Sequence, residues 1–413
     1  MAVTLRWRDP SPALSIADMR QRAMARLPAL ARAFVEGGAD DHVTLEANTT
    51  GFARWRLRQR ALAGVAGPDL SATIAGERLS LPVALAPTGG AGISHWTGDV
   101  AAARAAEQAG SRAVLSTAAC YTLEEVAAAT TSPQWFQLYP FGNRDRVRHL
   151  MQRARAAGYS ALFVTVDVPV IGNREGERRA GMTAPWTLTP ARLADMARHP
   201  RWAWNVWRHG RIAPVHYREP QPDGSPPPRP TDALKQALFG AASDAIRAAE
   251  AQQRFMQSDL NWDDLAWMRD QWQGPLYVKG VLDPEDAARA VDQIGAQGVV
   301  VSNHGGRQLD RSLASIAALP AIAARLAGRG EIYLDGGVRR GADVVTALCL
   351  GAKGVFIGRP YLYGLAAGGE AGVAQVLEIF RREMASTLVL MGCRSVAALD
   401  RSWVIPAAGS CPD

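Results

Sequence analysis

Short apolar runs recur along the chain, and most of them end in small or polar residues. Eight stand out: LPVALAPTGG (81–90), AVLSTAAC (113–120), QWFQLYP (134–140), ALFVTVDVP (161–169), LYVKG (276–280), GVVVSNHGG (298–306), EIYLDGG (331–337) and GVFIGRP (354–360). Most are too short for core helices, and their β-branched content is that of buried parallel strands. Ala-rich stretches dotted with Glu and Arg separate most of them, at 98–110, 123–129, 144–157, 284–296, 312–328 and 339–350. Their character is helical. Two carry start signals: Thr122 before LEEV, and DPED at 283–286 with Pro284 in the first helical position. Eight strands alternating with helices predict an α/β fold of the (β/α)8, or TIM-barrel, type. An open doubly wound sheet is the alternative.

Informative residues stand at the C-terminal ends of these strands: Thr88, Ser116, Tyr139, Asp167, Lys279, His304, Asp335 and Arg359. In a barrel those ends converge on one face, which carries the chemistry. Two regions break the pattern. Residues 1–60 precede the first strand and read as helical, with LPALARAFVEGGADD at 27–41. Residues 186–258 form an oversized connection between the fourth and fifth strands, containing WTLTPARLADMARHPRWAWNVWRHGR and then the Pro-rich 220–230. A connection of that length is functional or disordered. The expected organisation is one barrel domain over 1–413, interrupted by this insertion.

Length and composition agree with such a fold. The 413 residues, 48% apolar and 21% charged, suit a globular core. Four scattered cysteines (Cys120, Cys349, Cys393 and Cys411), without a CxxC pair, argue for a reducing cytosol over a zinc knuckle or disulfide framework. The start MAVTLRWRDPSPAL has no apolar signal region, and no apolar run approaches the ~18 residues that span a bilayer. A net charge of +7 suits nucleic acid, an anionic membrane or acidic small molecules. No nucleic-acid motif accompanies it, so nucleic acid is not expected as a partner.

The candidate chemistry centres on SNHGGRQLD (302–310). Imidazole titrates near neutrality, so His304 is a candidate general base, with Asp167 to orient it and raise its basicity. Arg307 and Arg174 are candidate carboxylate clamps, because the guanidinium fork matches a carboxylate. Arg174 stands in the charge run GNREGERR, which equally reads as a solvated face. Two Gly-rich turns with Arg, DGGVRRG (335–341) and IGRP (357–360), follow the last two strands, where barrels commonly grip phosphate. Lys279 either stabilises an anionic ring or forms a Schiff base. Too few ligands converge for a metal site, and no GxSxG marks a hydrolase.

Together, SNHGGRQLD, DGGVRRG, TVDVP with GNRE, FQLY and LAPTGG resemble the FMN-dependent α-hydroxy-acid oxidases and dehydrogenases. The resemblance covers roughly 10–400, apart from the insert. HPRWAW with RHG (199–210), NWDDLAWMRDQW (261–272) and LYGLAAGGEAGVAQVL (362–377) resemble its membrane-associated (S)-mandelate dehydrogenase branch. The resemblance implies that His304 takes the substrate proton and Asp167 stabilises its charged form. It implies that Arg174 and Arg307 hold the substrate carboxylate, Tyr139 bonds the reacting oxygen, and Lys279 stabilises the reduced flavin. Pro87, Thr88, Gly89, Ser116, Gln137, Thr165 and Ser302 would line the isoalloxazine and ribityl chain. Asp335, Gly337, Arg339, Gly358 and Arg359 would bind the ribityl and phosphate. The implied reaction oxidises a 2-hydroxy acid to a 2-oxo acid, with two electrons passing to FMN. The family often forms tetramers.

Departures from the family pattern bear on substrate and acceptor. Phe34 stands where the family usually has a carboxylate-binding Tyr; one hydrogen bond to a charged group is worth ~1.5–3 kcal/mol. Ala118 replaces the bulky Trp of glycolate-type enzymes and opens the pocket to an aryl or bulky side chain. Gly89, where oxidases usually carry Ala, tilts towards a dehydrogenase. In the insert, Trp186, Trp202, Trp204 and Trp207 lie among Arg192, Arg198, Arg201, Arg208 and Arg211. That mixture suits either a membrane interface on the inner face of the cell membrane or a packed lid. A quinone would then be the natural acceptor. An oxidase passing electrons to dioxygen, a flavin-binding scaffold without turnover and a Lys279 aldolase remain the competing readings.

Overall fold

The computed structural model describes residues 13–182, 189–217 and 259–407. Trp186, the Pro-rich 220–230 and Cys411 lie outside the described residues. Eight strands form one sheet: β1 (Val83–Leu85), β2 (Val114–Ser116), β3 (Trp135–Leu138), β4 (Ala161–Thr165), β5 (Leu276–Val281), β6 (Gly298–Val301), β7 (Glu331–Asp335) and β8 (Gly354–Ile357). Each pairs in parallel with its neighbours, in the order β1-β8-β7-β6-β5-β4-β3-β2, and a Leu85–Ala113 bridge joins β1 to β2. The sheet therefore curls round on itself as a (β/α)8 barrel, and the open doubly wound alternative falls. All eight apolar runs became these strands.

Alternation within each strand builds the interior. Trp135, Phe163, Tyr277, Val300, Tyr333 and Phe356 form a cluster inside the barrel. Their strand neighbours Phe136, Leu162, Val164, Val278, Val299, Val301, Leu334 and Val355 point outward into the helix layer. Both faces are apolar, so the sequence reads as continuous runs. The hairpin Ala72–Ile74 with Glu77–Leu79 closes the N-terminal end: Ala75 N donates to Tyr333 Oη at 2.7 Å, and Glu77 Oε1 accepts from Trp135 Nε1 at 3.0 Å.

The predicted helices appear at Gly98–Gln108, Leu123–Ala128, Arg144–Ala156, Pro284–Asp292, Ser315–Leu326 and Gly341–Cys349. Thr122 and Glu125 form a capping box, and Asp283 caps the helix that Pro284 opens. The N-terminal region departs from its all-helical expectation. Helices Ile16–Arg26, Ala29–Glu36 and Val43–Thr50 are followed by a strand, Trp55–Leu57, antiparallel to Val404–Pro406. Its partner lies near the far end of the chain, so no local pattern announces it.

The described part of the insert carries helices Pro190–Ala197 and Pro200–His209 and ends in a turn at Val215–Tyr217. Trp202 turns inward, its Nε1 donating to Ile93 O at 2.7 Å. Trp204 and Trp207 turn outward, 54% and 51% exposed, with rings 4.9 Å apart, and Leu193 is exposed as well. No helix among the described residues is long and apolar enough to cross a membrane.

Candidate active site

A cavity of about 270 Å³ opens at the C-terminal ends of the barrel strands. Of the residues singled out from the sequence, Phe34, Pro87, Thr88, Gly89, Ala118, Tyr139, Arg174, Lys279, His304, Arg307, Asp335, Gly337, Arg339, Gly358 and Arg359 line it. Ser116, Gln137, Thr165, Ser302 and Asp167 do not; of these, Ser302 bonds Lys279 and Asp167 bonds His304 from behind the lining.

His304 follows β6 in a left-handed conformation (φ 58°), and Gly305 and Gly306 continue it. A side chain on Gly306 would meet Leu45 N at 2.6 Å, so this turn tolerates only glycine there. Holding a histidine left-handed costs about 1–2 kcal/mol, a strain characteristic of functional sites. Its Nδ1 lies 2.9 Å from Asp167 Oδ1 and its Nε2 lies 3.3 Å from Tyr139 Oη. The carboxylate accepts the Nδ1 proton, which leaves the Nε2 lone pair towards the cavity. Burial pushes the imidazole down against the pull of Asp167, leaving it below its ordinary value. Burial raises the Asp167 carboxyl, but His304 and Lys279 outweigh it and hold it below the usual range. Burial and Asp167 push the Tyr139 phenol up to about 12. The closing Asp310 of the motif has a different task. Its carboxylate accepts Thr44 N at 2.7 Å and Val43 N at 3.3 Å, fastening the helix that carries Asn48.

The two arginines are not equivalent. Arg307 donates from Nη2 to Glu177 Oε1 at 2.7 Å and from Nη1 to Phe34 O at 2.8 Å, with its guanidinium 5.1 Å from the Phe34 ring centre. Arg174 has no carboxylate partner among the described residues. Its Nε donates to Arg307 O at 3.2 Å and its Nη2 to Gln308 Oε1 at 2.9 Å. Burial and the charge of Arg307 lower it to about 10. The solvated-face reading of GNREGERR is thus wrong for Arg174 and right for its exposed neighbours Arg178 and Arg179. Glu177 and Gln308 were not singled out from the sequence. Only their contacts with the two arginines mark them, and no spacing signal precedes that.

Lys279 Nζ lies 3.0 Å from Asp335 Oδ2 and 3.0 Å from Ser302 Oγ. Burial lowers this ammonium, but Asp335 and Asp167 outweigh it and hold it above its ordinary value. A lysine held so firmly charged does not suit Schiff-base formation. Ser116 Oγ donates to Gln137 Oε1 at 2.9 Å. Gln137 Nε2, Thr165 Oγ1 and Asp335 Oδ1 are buried and have no hydrogen-bond partner among the described residues. An unsatisfied buried polar atom costs about 1–3 kcal/mol. Three at the ends of β3, β4 and β7 fit a flat polar ring lying across the barrel mouth. Beyond it, Gly336 and Gly337 adopt positive φ, and Gly358 opens the helix Arg359–Met391 with no side-chain cap, leaving backbone N–H groups for an anion. The Arg359 guanidinium itself bonds Val35 O, Gly37 O and Gly305 O. Three of its five N–H donors are thereby used, and two remain for another acceptor.

A family model described as FMN-dependent dehydrogenase matches residues 23–406. The chain belongs to this family. It is an oxidoreductase, an FMN-dependent 2-hydroxy-acid dehydrogenase. The chain is 43% identical over 405 residues to an L-lactate dehydrogenase of Caulobacter vibrioides, covering 96% of this chain and 99% of that one. It superposes on the crystal structure of the monotopic membrane protein (S)-mandelate dehydrogenase with a TM-score of 0.85 at 34% identity, covering 96% and 100%. A tyrosine-to-phenylalanine mutant of a mandelate oxidase, solved with (S)-mandelic acid, gives 0.77 at 32% identity, covering 97% and 100%. The unsatisfied polar atoms at the barrel mouth fit a polar ring such as that of the FMN this family uses.

Proposed function

We propose that this dehydrogenase oxidises an (S)-2-hydroxy acid with a bulky, mandelate-like side chain to the 2-oxo acid. The observation that carries this is the His304 constellation: an imidazole with its lone pair towards the cavity, oriented by Asp167 and facing Tyr139, beside a half-buried arginine that has no carboxylate partner among the described residues. Arg174, with Arg307 beside it, binds the substrate carboxylate. Tyr139 donates its hydroxyl to the reacting oxygen. His304 Nε2 takes the substrate proton, and Asp167 stabilises the imidazolium that results. Bound FMN supplies the two-electron acceptor. Lys279 would hold a fixed positive charge against that group and favour its reduced form. Gln137, Thr165, Asp335 and the Gly336–Arg339 turn would hold the ring and ribityl phosphate. The wall formed by Ile93, Ala118, Ile171, Met182 and Ile212 is apolar and suits an aryl group.

The same reading takes 1–413 as one domain whose insert touches the inner face of the cell membrane through Trp204, Trp207 and Leu193. Its acceptor is a quinone, and it assembles as a homotetramer. A second reading is favoured by the names of the lactate relatives: a small substrate such as L-lactate. An oxygen-using oxidase is the alternative for the acceptor. Anaerobic mixing of the yellow protein with (S)-mandelate or L-lactate decides the substrate. Fast bleaching by mandelate alone supports the first reading, and bleaching by lactate alone replaces it. Rapid peroxide formation in air would replace the dehydrogenase with the oxidase.

A further inference from the structure

We infer that His216 and Tyr217, at the end of the insert, are positioning residues for Tyr139. This rests on the reading that Tyr139 bonds the reacting oxygen. Two chemically different routes lead from the pair to that residue.

The first route runs through the backbone. Leu123 N donates to His216 Nε2 at 3.2 Å, so the ring proton sits on Nδ1, 3.2 Å from Thr117 O. The Thr117 hydroxyl donates to Gln137 O at 2.7 Å and accepts Tyr139 N–H at 3.0 Å. His216 therefore grips the residue whose hydroxyl fixes the chain on both sides of Leu138, where β3 gives way to Tyr139.

The second route runs through rings. Tyr217 and Phe141 lie 6.4 Å apart at 24°, and Phe141 and Tyr139 lie 4.9 Å apart at 8°. With Ala118 and Val168 these three rings form an apolar cluster separate from the barrel core. Tyr217 is fully buried, and its hydroxyl has no partner among the described residues. What Tyr217 brings to this cluster is its ring. Val215 N donates to Ala119 O at 2.9 Å, so the residue before the pair is anchored on the loop that carries Thr117.

A buried His and Tyr are ordinary core residues in most proteins. Here both converge on one loop residue whose hydroxyl has to meet His304 Nε2. A misplacement of about 1 Å at such a group costs roughly 10²-fold in rate, and loop residues hold that tolerance only through packed support. The insert then has a catalytic task separate from any contact made by its outward tryptophans.

The test uses full-length, FMN-loaded variants: Tyr217→Leu, Tyr217→Phe, His216→Leu, Phe141→Leu and Tyr139→Phe. Each is mixed anaerobically with whichever of (S)-mandelate or L-lactate bleaches the wild type, in α-protio and α-deutero form. Y217L and H216L are expected to slow flavin reduction about 10–100-fold, with a larger isotope effect and unchanged FMN content. The dissociation constant of the matching 2-oxo acid, read from flavin absorbance, rises about fivefold in both and in Y139F, the value of one neutral hydrogen bond. Y217F keeps the ring and stays within about twofold of wild type. Y217L and F141L break one chain of contacts, so the double variant is no slower than the worse single one. A wild-type rate in Y217L, F141L and H216L beside a slow Y139F would overturn the inference alone. A wild-type rate in Y139F would remove the role of Tyr139 and the inference with it. If Y217L fails to hold FMN, F141L reads the ring route and H216L the backbone route.

Discussion

Gly89 and Ala118 face each other so closely that a methyl group added at Gly89 would lie 2.6 Å from the Ala118 Cβ. The two positions are therefore one decision. Gly89→Ala is expected to cost about 1–3 kcal/mol through overpacking and to slow flavin reduction. Adding Ala118→Gly should restore most of both. Thermal melts and stopped-flow reduction of the two single variants and the double check this. Additive losses would show that the positions act separately.

Removing the carboxylate behind His304 tests the base. Asp167→Asn takes away the group that fixes the Nδ1 proton and raises the imidazole. The expected loss in kcat is about 10²–10⁴-fold. His304 acts neutral, so kcat/KM falls as pH drops through its pKa. Without Asp167 that pKa moves further down, so the acid limb of the pH–kcat/KM profile should shift to lower pH. An unmoved limb would assign it to another group.

Lys279 and Asp335 form a buried pair at 3.0 Å. Lys279→Met leaves the Asp335 charge buried and unpaired, at an expected cost of about 3–5 kcal/mol. The variant should melt lower and release FMN more readily. A double variant with Asp335→Asn should recover stability without recovering flavin reduction.

His216 gives the fold an acid sensitivity. Burial and Arg153 lower its imidazole to about 4, because the ring sits where only its neutral form fits. The unfolded chain binds a proton near pH 6.5, the folded chain only near 4. Stability should therefore be full above about pH 6.5 and decline as pH falls towards 4, by roughly 3 kcal/mol from this residue. Denaturant midpoints across that range should fall less steeply in His216→Gln than in the wild type.

The outward tryptophans carry the proposed membrane contact. Trp204→Ser with Trp207→Ser should reduce cosedimentation with anionic phosphatidylglycerol vesicles while leaving flavin reduction intact. Equal binding of the double variant would move the contact elsewhere.

Much of this was legible before any fold was known. Buried parallel strands betray themselves as continuous apolar runs, and strand ends in a barrel share one face, so Tyr139, Asp167, Lys279 and His304 could be grouped from sequence. Less legible was anything that depends on distant pairing. Trp55–Leu57 needs Val404–Pro406 to be a strand at all. Glu177, Gln308, His216 and Tyr217 look like ordinary charged, polar or core residues until the loops bearing them meet. His216 stood in the insert, but its neighbours Thr117 and Leu123 lie two loops earlier in the barrel.

The order of strands and helices, and the stock of chemical groups at their ends, followed from sequence alone, because periodicity and turn chemistry are local properties. Which arginine pairs with a carboxylate, and which tryptophans face outward, were decided only in three dimensions. Trp202, Trp204 and Trp207 share one helix, and their spacing permits several faces to be buried. The docking of that helix on Ile93 chose one of them. Arg174 and Arg307 have identical chemistry, and their contacts in the fold, above all the approach of Glu177 to Arg307, tell them apart.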